Sequence, residues 1–107
     1  MEYEVHVSFE AKNDLIDAFG WYESKRIGLG DEFIFCVDAT VSLIQRNPVL
    51  FPIIMKETGE DIYRALVSRF PYEIYYYIRN DKVTIFTVLH AKMDPGRISK
   101  RFQEDVD

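Results

Sequence analysis

The spacing of the apolar residues changes along the chain, and this change does most to constrain the fold. Between residues 9 and 46, large apolar side chains recur every three or four positions, which indicates helices. Between residues 62 and 90, apolar side chains alternate with polar ones or form short runs rich in Tyr, Ile and Val, which indicates strands. Helices followed by a run of strands are typical of the α+β class.

The first half of the chain is predicted to hold one strand and two helices. Residues 3–7 alternate in polarity, as a half-buried strand does. Ser8 can cap a helix over about residues 9–24. The glycines of residues 28–30 break this helix, and a second helix then runs to Asn47-Pro48. The short link between the two predicts an antiparallel helical hairpin.

The second half is predicted to be a meander of strands over residues 62–69, 73–79 and 83–90. Residues 48–61 are expected to be a long connection, with a mobile segment at residues 56–61. Residues 98–103 are expected to form a short terminal helix. The predicted order is therefore β-α-α-β-β-β, with the helical hairpin on one face of a largely antiparallel sheet.

Length and composition fit one globular domain over residues 1–107, with 48% apolar residues. The single cysteine, Cys36, excludes an intrachain disulfide and metal sites built on paired cysteines. No run approaches the roughly 18 apolar residues of a membrane helix, and the acidic N-terminus is unlike a signal peptide. We therefore expect a cytoplasmic protein without a membrane partner, a cofactor or a bound metal.

The charge is unevenly distributed. The whole chain carries −5, but residues 62–101 hold eight basic and three acidic residues, which gives +5. The overall charge disfavours indiscriminate binding to nucleic acid, whereas the local excess predicts a surface for an anionic target or an acidic partner. The residues expected to contribute to target or partner binding are Arg64, Arg69, Arg79, Lys92 and Arg97.

Aromatic residues supply further candidates. His90 ends the last predicted strand beside Lys92, and histidine is the natural acid–base group near neutral pH. Along the preceding strand, alternation places Tyr76 in the core, whereas Tyr75 and Tyr77 lie on the opposite face. Those two tyrosines are candidates for stacking on a base or anchoring a partner, and packing within the protein is the alternative.

Five short segments carry a resemblance to a known family. They are residues 19–23 (FGWYE), 28–33 (GLGDEF), 47–52 (NPVLFP), 63–76 (YRALVSRFPYEIYY) and 88–95 (VLHAKMDP). In this order they resemble the RelE/ParE toxin superfamily, which includes proteins called plasmid stabilization proteins. The resemblance implies a β-α-α-β-β-β fold and a small cytoplasmic toxin of a type II toxin–antitoxin system. Its expected partner is a cognate antitoxin.

The superfamily contains two kinds of activity. Its ribonucleases cut messenger RNA on the ribosome without a metal, and its ParE members inhibit DNA gyrase by binding. The ribonuclease pattern places cations near the positions of Leu66, Ser68 and Met93, and a tyrosine where Ser99 stands. Because these four positions lack the required groups, the resemblance is closer to ParE.

The sequence thus predicts a binding toxin, not an enzyme, with a large target such as DNA gyrase. The alternatives are a metal-free endoribonuclease acting on ribosome-bound mRNA and a non-toxic remnant of the fold. In the nuclease alternative, the candidate catalytic residues are His90, Arg64 and Arg69, since such cleavage needs an acid, a base and cations.

Overall fold

A five-stranded sheet separates a helical hairpin from a C-terminal helix in the computed structural model, which describes residues 2–106. The chain runs through β1 (Glu4–Val7), α1 (Phe9–Lys25), α2 (Leu29–Arg46), a 3-10 turn (Pro48–Leu50), β2 (Ile53–Glu57), β3 (Glu60–Leu66), β4 (Tyr72–Arg79), β5 (Lys82–His90) and α3 (Gly96–Val106). Within residues 2–106, no helix combines the length and the apolarity needed to cross a membrane.

The strand order across the sheet is β1-β5-β4-β3-β2. Neighbouring strands are antiparallel, except that β1 runs parallel to β5, with Val7 opposite Ile85. The α+β class, the helical hairpin on one face and the largely antiparallel sheet are therefore confirmed.

The helical hairpin is shaped by hydrogen bonds at the helix ends. The Ser8 hydroxyl accepts the Ala11 N–H at 3.1 Å and so caps α1. Gly28 adopts a φ of 92°, which favours glycine, and starts α2. The Glu23 carboxylate accepts the N–H groups of Gly28 and Gly30, each at 2.9 Å. One side chain of α1 thus satisfies two amides at the start of α2.

The main core lies between the hairpin and the sheet. Phe33 of α2 and Ile74 and Tyr76 of β4 are fully buried there. The Tyr76 hydroxyl donates to the carbonyl of Pro48 at 2.7 Å, so this buried polar group is satisfied. Cys36 is buried in the same core.

The structure corrects the prediction for residues 48–61. Residues 53–57 form β2, an additional strand at the edge of the sheet, and residues 56–61 belong to the β2–β3 hairpin. Thr58 and Gly59, with φ values of 47° and 83°, make its two-residue turn. The prediction was wrong because Pro52 and Gly59 were taken as signs of a loop. Both residues lie just outside β2, so neither interrupts the strand.

The C-terminal helix extends further than predicted and covers the face of the sheet opposite the hairpin. Residues 96–106 are helical, beyond the expected 98–103. Its Ile98 and Phe102 are buried in a second core with Tyr75, Tyr77 and Phe86 of the sheet. The sheet is therefore packed on both faces.

Candidate functional site

A groove of about 660 Å³ lies between α1, the adjoining ends of β4 and β5, and the segment that leads into α3. Its apolar lining includes Ala18 of α1 and Val88 and Leu89 of β5. A cleft of this size with an apolar base and a few polar groups has the usual character of a binding site.

Aromatic side chains form the walls of the groove. Trp21 of α1 is 56% exposed, and Lys25 lies over its ring at 4.8 Å from the centroid. Tyr72 and His90 meet edge to face, with ring centroids 5.3 Å apart. These rings offer a broad apolar surface that solvent reaches.

Three residues singled out in the sequence line this groove together: His90, Lys92 and Arg97. The Lys92 backbone N–H donates to Nδ1 of His90 at 3.1 Å, which leaves Nε2 of the neutral ring as its donor. Asp17 of α1 faces the same groove. Among residues 2–106, no hydrogen bond or ion pair occupies the Asp17 carboxylate. The site thus combines two cations, a histidine and this carboxylate beside aromatic rings.

Asp14 borders the groove, but its carboxylate is already occupied. It accepts the Val88 N–H at 3.0 Å, the Thr87 hydroxyl at 3.2 Å, and two bonds from Arg101 at 2.7 and 3.2 Å. The Arg101 side chain is 17% exposed and that of Asp14 is 16% exposed. The hydrogen bond to Asp14 raises the pKa of Arg101, although burial opposes this. Asp14 therefore contributes little net charge to the groove.

The other predicted binding residues lie in separate settings. Arg69, in the turn before β4, donates to Glu32 at 3.0 Å, and Arg26 donates to the same carboxylate at 3.1 Å. The hydrogen bonds from Arg69 and then Arg26 lower the pKa of Glu32. Arg79 donates to Glu60 at 2.6 Å. These two predicted cations are paired with carboxylates.

Arg64 lies on β3 opposite Tyr75, on the face that α3 covers. It is half-buried, and its Nε has no hydrogen-bond partner among residues 2–106. The Tyr75 hydroxyl donates to Glu73. Burial and then the bond to Glu73 raise the pKa of Tyr75 to about 12, so this phenol stays protonated at neutral pH.

Tyr77 is also buried beneath α3, and its hydroxyl donates to Asp105 of that helix at 2.6 Å. Burial and then this bond raise the pKa of Tyr77 to about 12. The structure therefore places both Tyr75 and Tyr77 in the second core, where neither ring is available to a partner while α3 is docked.

Sequence reasoning missed Asp17, Trp21 and Tyr72 as members of the groove. One feature of the sequence could have indicated Trp21: it lies off the apolar stripe of α1, as an exposed aromatic residue would. In the part of the chain that the structure describes, no three His, Cys, Asp or Glu side chains are grouped as a metal site would require.

Comparison with known proteins supports one family. The sequence model of the family described as "ParE toxin of type II toxin-antitoxin system, parDE" matches residues 5–95. None of the curated proteins matches the sequence. A solved structure titled "Chromosomal ParDE TA system from P. aeruginosa" superimposes with a TM-score of 0.72 and 11% identity, over 83% of this chain and 96% of that chain. The resemblance expected from the five segments is confirmed, and the chain belongs to the ParE toxin family of type II toxin–antitoxin systems.

Proposed function

We propose that this protein is the toxin of a toxin–antitoxin pair and that it inhibits a large target, such as DNA gyrase, by binding it. The observation that carries the proposal is the separation of the predicted cations. Arg69 pairs with Glu32, Arg79 pairs with Glu60, and Arg64 is half-buried on the face of the sheet opposite the helical hairpin. Binding does not need these groups to meet at one point.

Metal-free RNA cleavage makes a stricter demand. A base, an acid and cations must converge on one phosphate. His90 lies in the groove with Lys92 and Arg97, whereas Arg64 and Arg69 lie outside the groove lining. This arrangement supports a binding toxin over an endoribonuclease that uses His90, Arg64 and Arg69 together.

The antitoxin is proposed to cover the exposed apolar side chains of the helical hairpin. Phe9, Ile16 and Phe35 are 72%, 65% and 74% exposed. Scattered apolar residues are common on surfaces, but several large ones on one pair of helices indicate an interaction surface. A segment that folds on binding is suited to cover such a surface.

The target is tested by producing the protein in bacteria without an antitoxin. Filamentation with DNA damage is expected if gyrase is bound. The purified protein should also inhibit DNA supercoiling by purified gyrase. A rapid stop in translation with cleavage of ribosome-bound mRNA would instead establish the nuclease alternative. Unchanged growth at full expression would indicate a non-toxic remnant.

The variant His90→Ala separates the two activities. A binding toxin should keep most of its toxicity, because His90 supplies one wall of a groove and not a proton in a reaction. If the protein is a nuclease that uses His90 as its acid or base, its rate of RNA cleavage should fall by a factor of roughly 10² or more. Loss of cleavage with unchanged target binding would contradict the proposal.

A further inference from the structure

We infer that the groove beside Trp21 is a docking site for an acidic segment of a partner protein, anchored by one large apolar side chain. The inference rests on the proposed function in taking the partner to be a protein. It adds the place on this chain and the chemistry of the segment that fits there.

The apolar half of the groove favours a large apolar side chain of the partner as an anchor. Val88 and Leu89 are buried strand residues at its base, whereas Trp21 and Met93 at its border are 56% and 43% exposed. Exposed large side chains beside an apolar cleft favour a partner side chain that excludes water from both. A volume of about 660 Å³ accommodates an aromatic or aliphatic side chain with its flanking backbone.

The polar half of the groove offers donors. Lys92 and Arg97 carry positive charge, and His90 has Nε2 as a donor because Nδ1 accepts the Lys92 N–H. Asp17 is the opposing charge, since Asp14 is neutralised by Arg101. Two cations against the carboxylate of Asp17 favour an acidic ligand.

A protein segment suits this groove better than nucleic acid. Nucleic acid binds chiefly through many phosphate contacts to clustered cations, whereas this groove is lined by two cations, Lys92 and Arg97. Asp17 would further repel a phosphate backbone, whereas a peptide can place its own amide or a basic residue there. One anchored segment with a few carboxylates needs only the local excess of charge.

The first test uses three probes and the amide NMR spectrum of the whole protein. The probes are the acetylated pentapeptide Glu-Glu-Phe-Glu-Glu, its counterpart Lys-Lys-Phe-Lys-Lys, and adenosine monophosphate. The acidic peptide should shift the resonances of the groove and change the fluorescence of Trp21, the single tryptophan of the chain. It should bind about tenfold more tightly than the basic peptide.

Equal binding of the two peptides, no shift at the groove, or stronger shifts with the nucleotide would each overturn the inference. The test uses no toxicity readout. A toxin that inhibits gyrase without binding the acidic peptide would refute the docking site alone. A protein that binds the peptide yet has no target would refute the proposed function alone.

A matched pair of charge reversals locates the site. Arg97→Glu changes a residue of the groove, and Lys100→Glu makes the same change in charge on an exposed residue of the same helix outside the groove lining. Arg97→Glu should weaken binding of the acidic peptide about tenfold, and Lys100→Glu less than about twofold. Equal effects would show a general charge effect and overturn the site.

Discussion

Arg101 of α3 holds Asp14 of α1 by two hydrogen bonds, although the two helices pack on opposite faces of the sheet. The contact is possible because β1 ends at Val7, opposite Ile85, while β5 continues to His90. Asp14 reaches the uncovered edge of β5 and accepts the Val88 N–H. One carboxylate thereby joins α1, β5 and α3.

Removal of this carboxylate is expected to be strongly destabilising. Asp14→Ala leaves the half-buried Arg101 and the Val88 N–H without their acceptor. We expect a loss of about 2–4 kcal/mol in the free energy of unfolding, measured by urea denaturation.

The control for Asp14→Ala is an exposed ion pair. Arg26→Ala removes one partner of Glu32, where the two side chains are 58% and 36% exposed. Solvent screens such a pair, so its loss should cost far less stability than the loss of Asp14. If both variants lost the same stability, Asp14 would not be the link between the two faces.

Gly30→Ala should destabilise the protein, contrary to the usual effect of this change in a helix. A Cβ at Gly30 would lie 2.8 Å from two ring carbons of Phe19 and 2.9 Å from Oε1 of Glu23. That oxygen accepts the Gly30 N–H, so moving it weakens the start of α2. We expect a loss of about 1–3 kcal/mol, seen as a lower midpoint of thermal or urea unfolding.

Gly20→Ala is the matched comparison within α1. A Cβ there would meet nothing within 4 Å, so the change removes only the flexibility of glycine in a helix. It should stabilise the protein by about 0.5–1 kcal/mol. A gain in stability at both glycines would refute the proposed crowding at Gly30.

Stability should fall at alkaline pH through the buried phenols. Tyr75 and Tyr77 have pKa values raised to about 12, above the ordinary value of 10.0 for tyrosine, because burial disfavours the phenolate. Their contribution is complete below about pH 10 and is lost as the pH rises toward about 12, since the unfolded chain ionises first. Urea unfolding at several pH values, with phenolate absorbance, measures this loss.

Tyr77→Phe tests whether Tyr77 accounts for part of this alkaline loss of stability. Without the Tyr77 hydroxyl, the slope of unfolding free energy against pH should be shallower between about pH 10 and 12. Asp105 also loses its donor, so stability at neutral pH should fall by about 1 kcal/mol. An unchanged alkaline slope would show that Tyr77 is not protected by α3.

The proposed antitoxin surface predicts a specific loss of affinity. Phe35→Asp places a charge at a side chain that is 74% exposed, so folding should be kept while antitoxin binding weakens at least about tenfold. Titration calorimetry with the cognate antitoxin measures this. Leu66→Asp is the control, since Leu66 is 61% exposed on β3 and not on the hairpin. A larger loss of affinity in Leu66→Asp than in Phe35→Asp would indicate that the antitoxin binds the sheet and not the hairpin.

Local patterns were sufficient to predict most of the elements. Ser8 caps α1 as its side chain and position suggested, and alternation correctly separated Tyr76 from Tyr75 and Tyr77. β2 was missed because a five-residue edge strand has too little alternation to outweigh Pro52 and Gly59. Its pairing with β3 is what makes it a strand.

The groove could be predicted only in part. His90, Lys92 and Arg97 are near one another in the sequence, so their grouping followed from local spacing. Trp21 and Tyr72 join them through the packing of α1 against the sheet, which no local pattern reports. The cover over Tyr75 and Tyr77 was likewise missed, because alternation assigns a residue to a face and not to what packs on that face.

Because β1 pairs in parallel with β5, the sheet cannot be completed during synthesis until β5 has been made. β1 is made before the helical hairpin, but its partner residues, Lys82–Ile85, are made only after the hairpin and β2–β4. The edge of the sheet, and the groove formed between α1 and the end of β5, cannot assemble on a partial chain. Such long-range pairing also slows folding. A message that breaks before the β5 codons therefore yields a product without this groove.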